Sequence, residues 1–133
     1  MESDAEPASP DAAPIVKVVG PCKSGKSTLV AGLRTLGYTA RSCGQEHSDA
    51  PTMWQRIAPP AYLIFLDVTP QTQRVRVDRS DWSDALMASQ QRRLAHARQH
   101  ADLVLATDYA SAQDVLRQVV GFLTQHGLPP AGR

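Results

Sequence analysis

The sequence IVKVVGPCKSGKST at residues 15–28 joins a run of β-branched residues to a turn rich in glycine and lysine. The apolar run at residues 15–19 predicts a buried strand. Residues 20–27, which we call the glycine loop, match the pattern G-x-x-x-x-G-K-[ST] at every fixed position. Leucines at helical spacing then predict a helix over residues 27–36. A preceding strand and a following helix are the context that a phosphate-binding loop requires.

The glycine loop has the residue types that phosphate binding needs. Backbone N–H groups and the positive end of the following helix attract a phosphate, and Gly20 and Gly25 permit a close approach of the backbone. We expect Lys26 to reach the β- and γ-phosphates of a nucleotide and the Ser27 hydroxyl to ligate Mg²⁺. The expected cofactor-binding residues are Gly20, Pro21, Cys22, Lys23, Ser24, Gly25, Lys26, Ser27 and Thr28.

Strand and helix patterns alternate along the rest of the chain. Further strands are predicted at residues 38–43, 62–68 and 102–106, and further helices at residues 70–79, 84–100 and 112–126. Residues 44–60 predict a loop with one helical turn near Trp54. The alternation predicts an α/β fold with a single doubly wound parallel sheet of about four strands. Lys17 interrupts the first strand, and we expect it to reach solvent from the strand's beginning or from a sheet edge.

The composition fits one domain in a chain of 133 residues. Lys and Arg number 14 and Asp and Glu number 13, and this balance argues against a nucleic-acid or membrane partner. Residues 1–14 are acidic and proline-rich and predict a disordered tail. The domain is expected at residues 15–126, with a frayed tail at residues 127–133. We expect a cytoplasmic protein, because the sequence has only two cysteines, no apolar run long enough to span a membrane and no basic leader.

The glycine loop resembles that of the P-loop nucleotide and nucleoside kinases, such as the thymidylate and dephospho-coenzyme A kinases. The run LIFLDVTP at residues 63–70, followed by Arg74, is similar to the strand and helix before the lid of these enzymes. The segment RRLAHAR at residues 92–98 and the run ADLVL at residues 101–105 are similar to their post-lid helix and last strand. The resemblance implies a P-loop NTPase fold, Mg-ATP as a ligand and transfer of the γ-phosphoryl group.

The chain also departs from these kinases. It is unusually short and lacks room for the helices that bind the phosphoryl acceptor. Residues 44–60 hold no separate Walker B strand, and we find no Asp-Arg pair of the kind that thymidylate kinases use. Any lid is confined to about residues 76–92.

Two carboxylates compete for the metal and catalytic roles. Asp67 ends an apolar strand, which is the position of a Walker B aspartate that holds Mg²⁺, although the kinase resemblance gives it a different strand. Glu46 follows the second predicted strand. If that strand lies beside the first one, Glu46 could reach the metal or an acceptor hydroxyl, and His47 and Asp49 could join it. Both carboxylates are therefore candidate catalytic residues, and Ser27 and Asp67 are the candidate metal ligands.

The Gly-Gln-Glu sequence at residues 44–46 also resembles the switch II segment of small GTPases, in which Gln orients the attacking water. Arg41 stands where those proteins have Asp, and the chain has no Asn-Lys-x-Asp motif to read guanine. ATP is therefore the expected nucleotide, and GTP is kept as an alternative.

Arginines are expected to offset the charge of a transferring phosphoryl group, because the guanidinium fork binds phosphate through two hydrogen bonds. The predicted lid-flanking helices carry Arg74, Arg76, Arg79, Arg92, Arg93 and Arg98. Arg74 and Arg98 match kinase positions and are the candidate catalytic arginines. Trp54 and Trp82 are expected either to stack on a base or to pack in the fold.

The leading hypothesis is a small kinase-like phosphotransferase that moves the γ-phosphoryl group of ATP to a small-molecule acceptor, which the sequence does not identify. A second hypothesis is a non-catalytic or slowly hydrolysing nucleotide-binding regulatory module, which the missing acceptor helices favour. In a third, the loop binds another anion, such as a coenzyme phosphate. The sequence leaves the oligomeric state open.

Overall fold

The computed structural model describes residues 13–56, 58–77 and 83–131. The first 12 residues of the predicted tail, the end of the helix predicted at residues 70–79, the loop around Trp82, and residues 132–133 lie outside the described residues. Arg79 also lies outside the described residues, so its predicted place beside a lid stays a prediction.

The predicted alternation of strands and helices is confirmed, and within the described residues the bounds agree to within one residue. The strands are β1 (Ile15–Val19), β2 (Thr39–Ser42), β3 (Tyr62–Asp67) and β4 (Leu103–Ala106). The helices are α1 (Lys26–Thr35), α2 (Pro70–Val77), α3 (Asp84–His100) and α4 (Ala112–Gln125). Two short 3₁₀ turns, Gln45–His47 and Met53–Gln55, lie in the segment between β2 and β3. None of the described helices is long and apolar enough to cross a bilayer.

The four strands form one all-parallel sheet in the order β2-β1-β3-β4. The chain leaves β1 toward β2 on one side and leaves β3 toward β4 on the other. Neighbouring strands whose connections run in opposite directions open a crevice at their carboxyl ends, where open α/β sheets bind ligands. The glycine loop follows β1 at this edge, and Asp67 ends β3 there.

Helices cover both faces of the sheet, as a doubly wound arrangement requires. On one face α1 and α4 pack against β1 and β3 in a cluster that includes Val18, Ile64, Leu33 and Val119. On the other face Leu94 and Ala97 of α3 pack against Val19, Leu63 and Phe65. Trp54 belongs to this second cluster, and its Nε1 donates to His96 Nδ1 at 3.1 Å. Of the two roles expected for Trp54, the structure therefore shows packing.

The expectation for Lys17 is wrong. β1 lies between β2 and β3 rather than at an edge, and the Lys17 side chain is buried. Its Nζ donates to the carbonyl oxygens of Trp54 at 3.0 Å and Arg56 at 3.2 Å. Burial lowers the pKa of this amine below its ordinary value of 10.5. A buried amine needs protein acceptors in place of water. The two hydrogen bonds of Lys17 therefore connect the segment before β3 to β1 at the centre of the sheet.

Candidate functional site

The glycine loop adopts a conformation that two of its residues make necessary. Gly25 has φ 103°, in the left-handed region that favours glycine. A Cβ on Gly20 would lie 2.3 Å from the carbonyl oxygen of Leu66, so only glycine lets the loop pass this close to β3. Lys23 also has a positive φ, 68°, which is uncommon for a residue with a side chain. Strained backbone of this kind is concentrated at functional sites.

The amino terminus of α1 differs from those of two other helices. Ser83 caps α3 by accepting from Leu86 N, and Ser111 caps α4 by accepting from Asp114 N. Gly25 precedes α1 with no side-chain cap, and the first turn holds no acidic residue. The first N–H groups of a helix have no partner within it and carry partial positive charge. These N–H groups of α1 are therefore available to an anion.

Lys26 folds back over the glycine loop. Its Nζ donates to the carbonyl oxygens of Gly20 at 2.8 Å and Pro21 at 3.0 Å, and it lies 2.9 Å from Glu46 Oε2. The side chains of Lys26 and Glu46 are only 12% and 5% exposed. The conditional prediction for Glu46 had required β2 to lie beside β1, and it does. The structure thus brings the invariant lysine of the motif and this carboxylate together.

Buried polar atoms without partners are concentrated at the glycine loop. In the part of the chain that the structure describes, three buried side-chain atoms have no hydrogen-bond partner: Ser24 Oγ, Glu46 Oε1 and Gln73 Oε1. Ser24 lies in the loop, Glu46 pairs with Lys26, and Gln73 Nε2 donates to the carbonyl oxygen of Cys22. Such atoms are rare in folded proteins, and each needs an explanation such as a ligand.

Two buried glutamines fix the position of Cys22 in the loop. Gln90 of α3 accepts from Cys22 N at 3.0 Å, and its Nε2 donates to Cys22 Sγ at 3.3 Å. Gln73 of α2 donates to the Cys22 carbonyl oxygen at 3.0 Å. Sequence reasoning missed both glutamines, since their polarity within helices is typical of exposed residues. Only the tertiary structure shows that they face the loop.

Thr107 and Arg76 hold the other side of the loop. Thr107 Oγ1 donates to the carbonyl oxygens of Ser24 at 3.0 Å and Asp67 at 3.2 Å. Arg76 donates to the carbonyl oxygens of Lys23 at 2.7 Å and Thr107 at 2.5 Å. Sequence reasoning grouped Arg76 with other arginines but did not select it, and it missed Thr107. One signal for Arg76 was present in the sequence. Gln73 and Arg76 are three residues apart, and this spacing places both side chains on one face of α2.

The glycine loop separates two clefts. The apolar cleft, of about 310 Å³, is lined by Lys23, Ser24, Gly25, Thr28, Leu29, Arg76, Thr107, Ala110, Ala112 and Val115. The Glu46 cleft, of about 520 Å³, is lined by Cys22, Lys23, Gly25, Lys26, Ser27, Thr28, Ser42, Cys43, Gly44 and Glu46. One wall thus joins the apolar cleft to a space lined by residues that carry hydroxyl, amine and carboxylate groups.

The side chains of the remaining candidates are paired with residues outside the glycine loop. Asp67 Oδ2 accepts from Arg98 at 2.6 Å, and the Arg98 guanidinium lies 5.3 Å from the centre of the Phe65 ring. Arg74 pairs with Asp84 on the surface. Neither pair includes a residue that lines the Glu46 cleft. Ser27 lines that cleft with Glu46, so the structure places Ser27 and Glu46, rather than Ser27 and Asp67, in one space.

His47 and Asp49, which were expected to join Glu46, and Gln45, the counterpart of the switch II glutamine, make different contacts. Gln45 is fully buried, donates to the carbonyl oxygen of Ala50 at 2.7 Å and accepts from Trp54 N at 3.0 Å, so its amide is committed to the local fold. His47 Nε2 lies 3.7 Å from Glu46 Oε2, as expected. Asp49 pairs instead with Arg93 at 2.9 Å. A switch-II-like role for Gln45 finds no support in this geometry.

No protein-family model matches the chain, and no curated protein matches it. The fold class and the site therefore rest on the sequence and on this structure. Together they define an α/β protein with a four-stranded parallel sheet and a glycine loop at the switch point of that sheet.

Proposed function

We propose that this chain is a P-loop NTPase-like protein that binds a nucleoside triphosphate and acts as a small kinase-like phosphotransferase. The observation that carries the proposal is that three features meet at the glycine loop. An uncapped helix, an inward-folded lysine and three unpartnered buried atoms converge on the glycine loop, which matches the phosphate-binding pattern. Phosphate oxygens would accept from the first N–H groups of α1 and from Lys26 Nζ.

The two clefts fit the two ends of a nucleotide. Apolar side chains of Leu29, Ala110 and Val115 line the apolar cleft beside the loop, which suits the faces of a purine base. Arg76 lines the same cleft and its guanidinium can stack on a ring. The γ-phosphate would then point into the Glu46 cleft. ATP is the expected nucleotide, with GTP as the alternative, because the sequence has no Asn-Lys-x-Asp motif to read guanine.

The donor set of the Glu46 cleft fits Mg²⁺. This ion prefers oxygen ligands, keeps several waters and binds protein through one or two side chains together with phosphate oxygens. Ser27 and Glu46 both line this cleft and carry oxygen ligands, and Glu46 Oε1 has no partner of its own. When bound, Mg²⁺ would neutralise charge on the β- and γ-phosphates. We place Glu46 in the acidic role and regard the Asp67–Arg98 pair as the reason that Asp67 is less suited to it.

Glu46 can also serve the phosphoryl acceptor. A carboxylate near the transferring group accepts the proton of the attacking hydroxyl. The Glu46 cleft leaves space for a small acceptor, and Lys26 beside Glu46 offers positive charge to the group in transfer. Arg76, rather than Arg74 or Arg98, is the arginine that contacts the loop.

A second candidate function is a nucleotide-binding regulatory module with slow turnover. It is favoured by the pairing of Lys26 with Glu46 and of Arg98 with Asp67, which leaves each charged group with a partner inside the protein. A bound phosphate must then compete with Glu46 for Lys26. In this case the protein binds ATP, but no acceptor stimulates its consumption.

Titration calorimetry of ATP into the full chain, with and without Mg²⁺, tests the proposal. We expect micromolar binding that depends on Mg²⁺, and Ser27→Ala should abolish that dependence. Lys26→Ala removes a charge-assisted contact of about 1.5–3 kcal/mol and should weaken binding about 10- to 150-fold. GTP, ADP and pyrophosphate serve as competitors. Absence of binding to both ATP and GTP by folded protein contradicts the proposal.

Labelled ATP with a panel of small hydroxyl and phosphate acceptors separates the two candidate functions. Transfer of label to an acceptor supports the phosphotransferase, whereas binding without transfer supports the regulatory module. Tighter binding of a coenzyme phosphate than of any nucleotide would support the third hypothesis for the loop.

A further inference from the structure

A cysteine, a histidine and a glutamate meet beside the glycine loop. One ligand atom each from Cys22, Glu46 and His47 lies within 4.8 Å of the others. Cys22 Sγ is 3.6 Å from His47 Nε2, which is 3.7 Å from Glu46 Oε2. Thiolate, imidazole and carboxylate are the three side-chain ligands that Zn²⁺ takes in proteins. Cys22 and Glu46 also line the Glu46 cleft, so an ion in the cluster would compete with Mg²⁺ for Glu46.

The spacing of these atoms suits a tetrahedral ion. Bonds of about 2.3 Å to sulfur and about 2.0 Å to nitrogen or oxygen place sulfur about 3.5 Å from nitrogen, and nitrogen about 3.3 Å from oxygen, in a tetrahedron. The observed Sγ–Nε2 distance of 3.6 Å is close to the first value, and the Nε2–Oε2 distance of 3.7 Å is about 0.4 Å longer than the second. An ion can therefore be held with small shifts of the side chains.

A second observation points to a missing ligand. Glu46 is buried, and its Oε1 has no hydrogen-bond partner among the described residues. Lys26 and His47 both lie beside the other oxygen, Oε2, so an ion in the cluster would either share Oε2 with Lys26 or bind Oε1 after a rotation of the carboxylate. Unpartnered buried carboxylate oxygens are costly, and a metal would remove the cost here.

The surroundings also hold the sulfur in place. Gln90 Nε2 donates to Cys22 Sγ at 3.3 Å while Gln90 Oε1 accepts from Cys22 N at 3.0 Å. Hydrogen bonds of this kind orient metal ligands and stabilise a thiolate. His47 is 64% exposed, so the ion can enter from solvent and one coordination position stays open.

We propose that Cys22, Glu46 and His47 form a Zn²⁺ site with an open fourth position next to the glycine loop. Sulfur as a ligand selects Zn²⁺ over Mg²⁺, which prefers oxygen. Because the ion shares Glu46 with Lys26, its binding changes the charge that the loop presents to an anion.

Titration of Zn²⁺ into the reduced full chain against a coloured Zn²⁺ indicator tests the site. We expect one ion per chain, and Cys22→Ser and His47→Ala should each weaken binding more than about 100-fold, since loss of a partner outside the ligand set already costs about 10- to 100-fold. Cys43→Ser is the matched control, because Cys43 lines the same cleft but is not in the cluster. Circular dichroism checks that each variant is folded.

Co²⁺ provides an independent readout of the ligands. With Co²⁺ in place of Zn²⁺, a thiolate-to-metal absorption band should appear in the native protein and in Cys43→Ser, and should be absent in Cys22→Ser. Binding of Zn²⁺ by native protein that is no tighter than by Cys22→Ser would overturn the proposal. A Co²⁺ complex without the thiolate band, or equal losses in the two cysteine variants, would also overturn it.

Discussion

The ion pair between Lys26 and Glu46 gives the sharpest prediction for stability. Lys26→Met removes three contacts of the amine, at 2.8, 3.0 and 2.9 Å, with Gly20, Pro21 and Glu46. Glu46 then keeps a buried carboxylate whose Oε1 has no partner and whose Oε2 has only His47 Nε2 nearby, at 3.7 Å. Removing one member of a buried ion pair costs about 3–5 kcal/mol, which is a large share of the roughly 5–15 kcal/mol that stabilises a domain.

Urea unfolding followed by circular dichroism measures this loss. With a slope of about 1.5 kcal/mol per molar urea, a loss of about 3 kcal/mol lowers the midpoint by about 2 M. The double variant Lys26→Met, Glu46→Gln should recover most of the loss, because no buried charge is left unpaired. Arg117→Ala is the control, as it breaks an ion pair with Asp114 on the exposed surface of α4.

The reasoning is refuted if Lys26→Met shifts the midpoint no further than Arg117→Ala. It is also refuted if the double variant is as unstable as Lys26→Met alone, because the loss would then come from the lysine's contacts with the loop and not from the stranded carboxylate. Equal slopes for all variants are required for the comparison.

Three further predictions concern single side chains. Gly20→Ala places a Cβ 2.3 Å from the Leu66 carbonyl oxygen and should abolish nucleotide binding in calorimetry. Gly121→Ala, whose Cβ meets nothing within 4 Å, should preserve binding. Equal binding by both variants would contradict the need for glycine at position 20. Ser83→Ala removes the cap of α3 and should cost about 1 kcal/mol in urea unfolding, and no loss would show that the cap is not stabilising. Burial raises the pKa of the Cys43 thiol above 9.0, so the folded chain retains a proton that the unfolded chain releases. The free energy of unfolding should therefore fall as the pH rises above about 9. Urea unfolding at about pH 8 and about pH 10 measures this fall, which should be smaller in Cys43→Ala. An equal fall in the native protein and in Cys43→Ala would contradict the role of Cys43.

Local patterns were sufficient for the elements of the fold. The β-branched run at β1 and the leucine spacing of α1 each act over a few residues, so the sequence displays them directly. The alternation of strands and helices then predicts a parallel sheet. Lys17 was misassigned because its burial depends on the carbonyl groups of a distant segment, which no local pattern reveals.

The candidate site was predicted in part. The glycine loop was found from its spacing, and its contact with Glu46 was expected only on the condition that β2 lies beside β1. The structure meets that condition, and it also pairs Asp67 with Arg98, which the strand pattern had left open. Gln73, Gln90 and Thr107 escaped notice because they contact the loop across 51, 68 and 83 positions of the chain.

The sequence by itself determined the α/β class, the order of the elements and the loop, because these depend on periodicity, capping and glycine conformations within short segments. Only the tertiary structure decided the strand order, the partner of each charged side chain and the meeting of Cys22 with His47 and Glu46. Strand order sets which loops are neighbours at the sheet's carboxyl edge, and contacts there join residues far apart in the chain. A side chain's partner follows from this assembly and not from its neighbours in sequence.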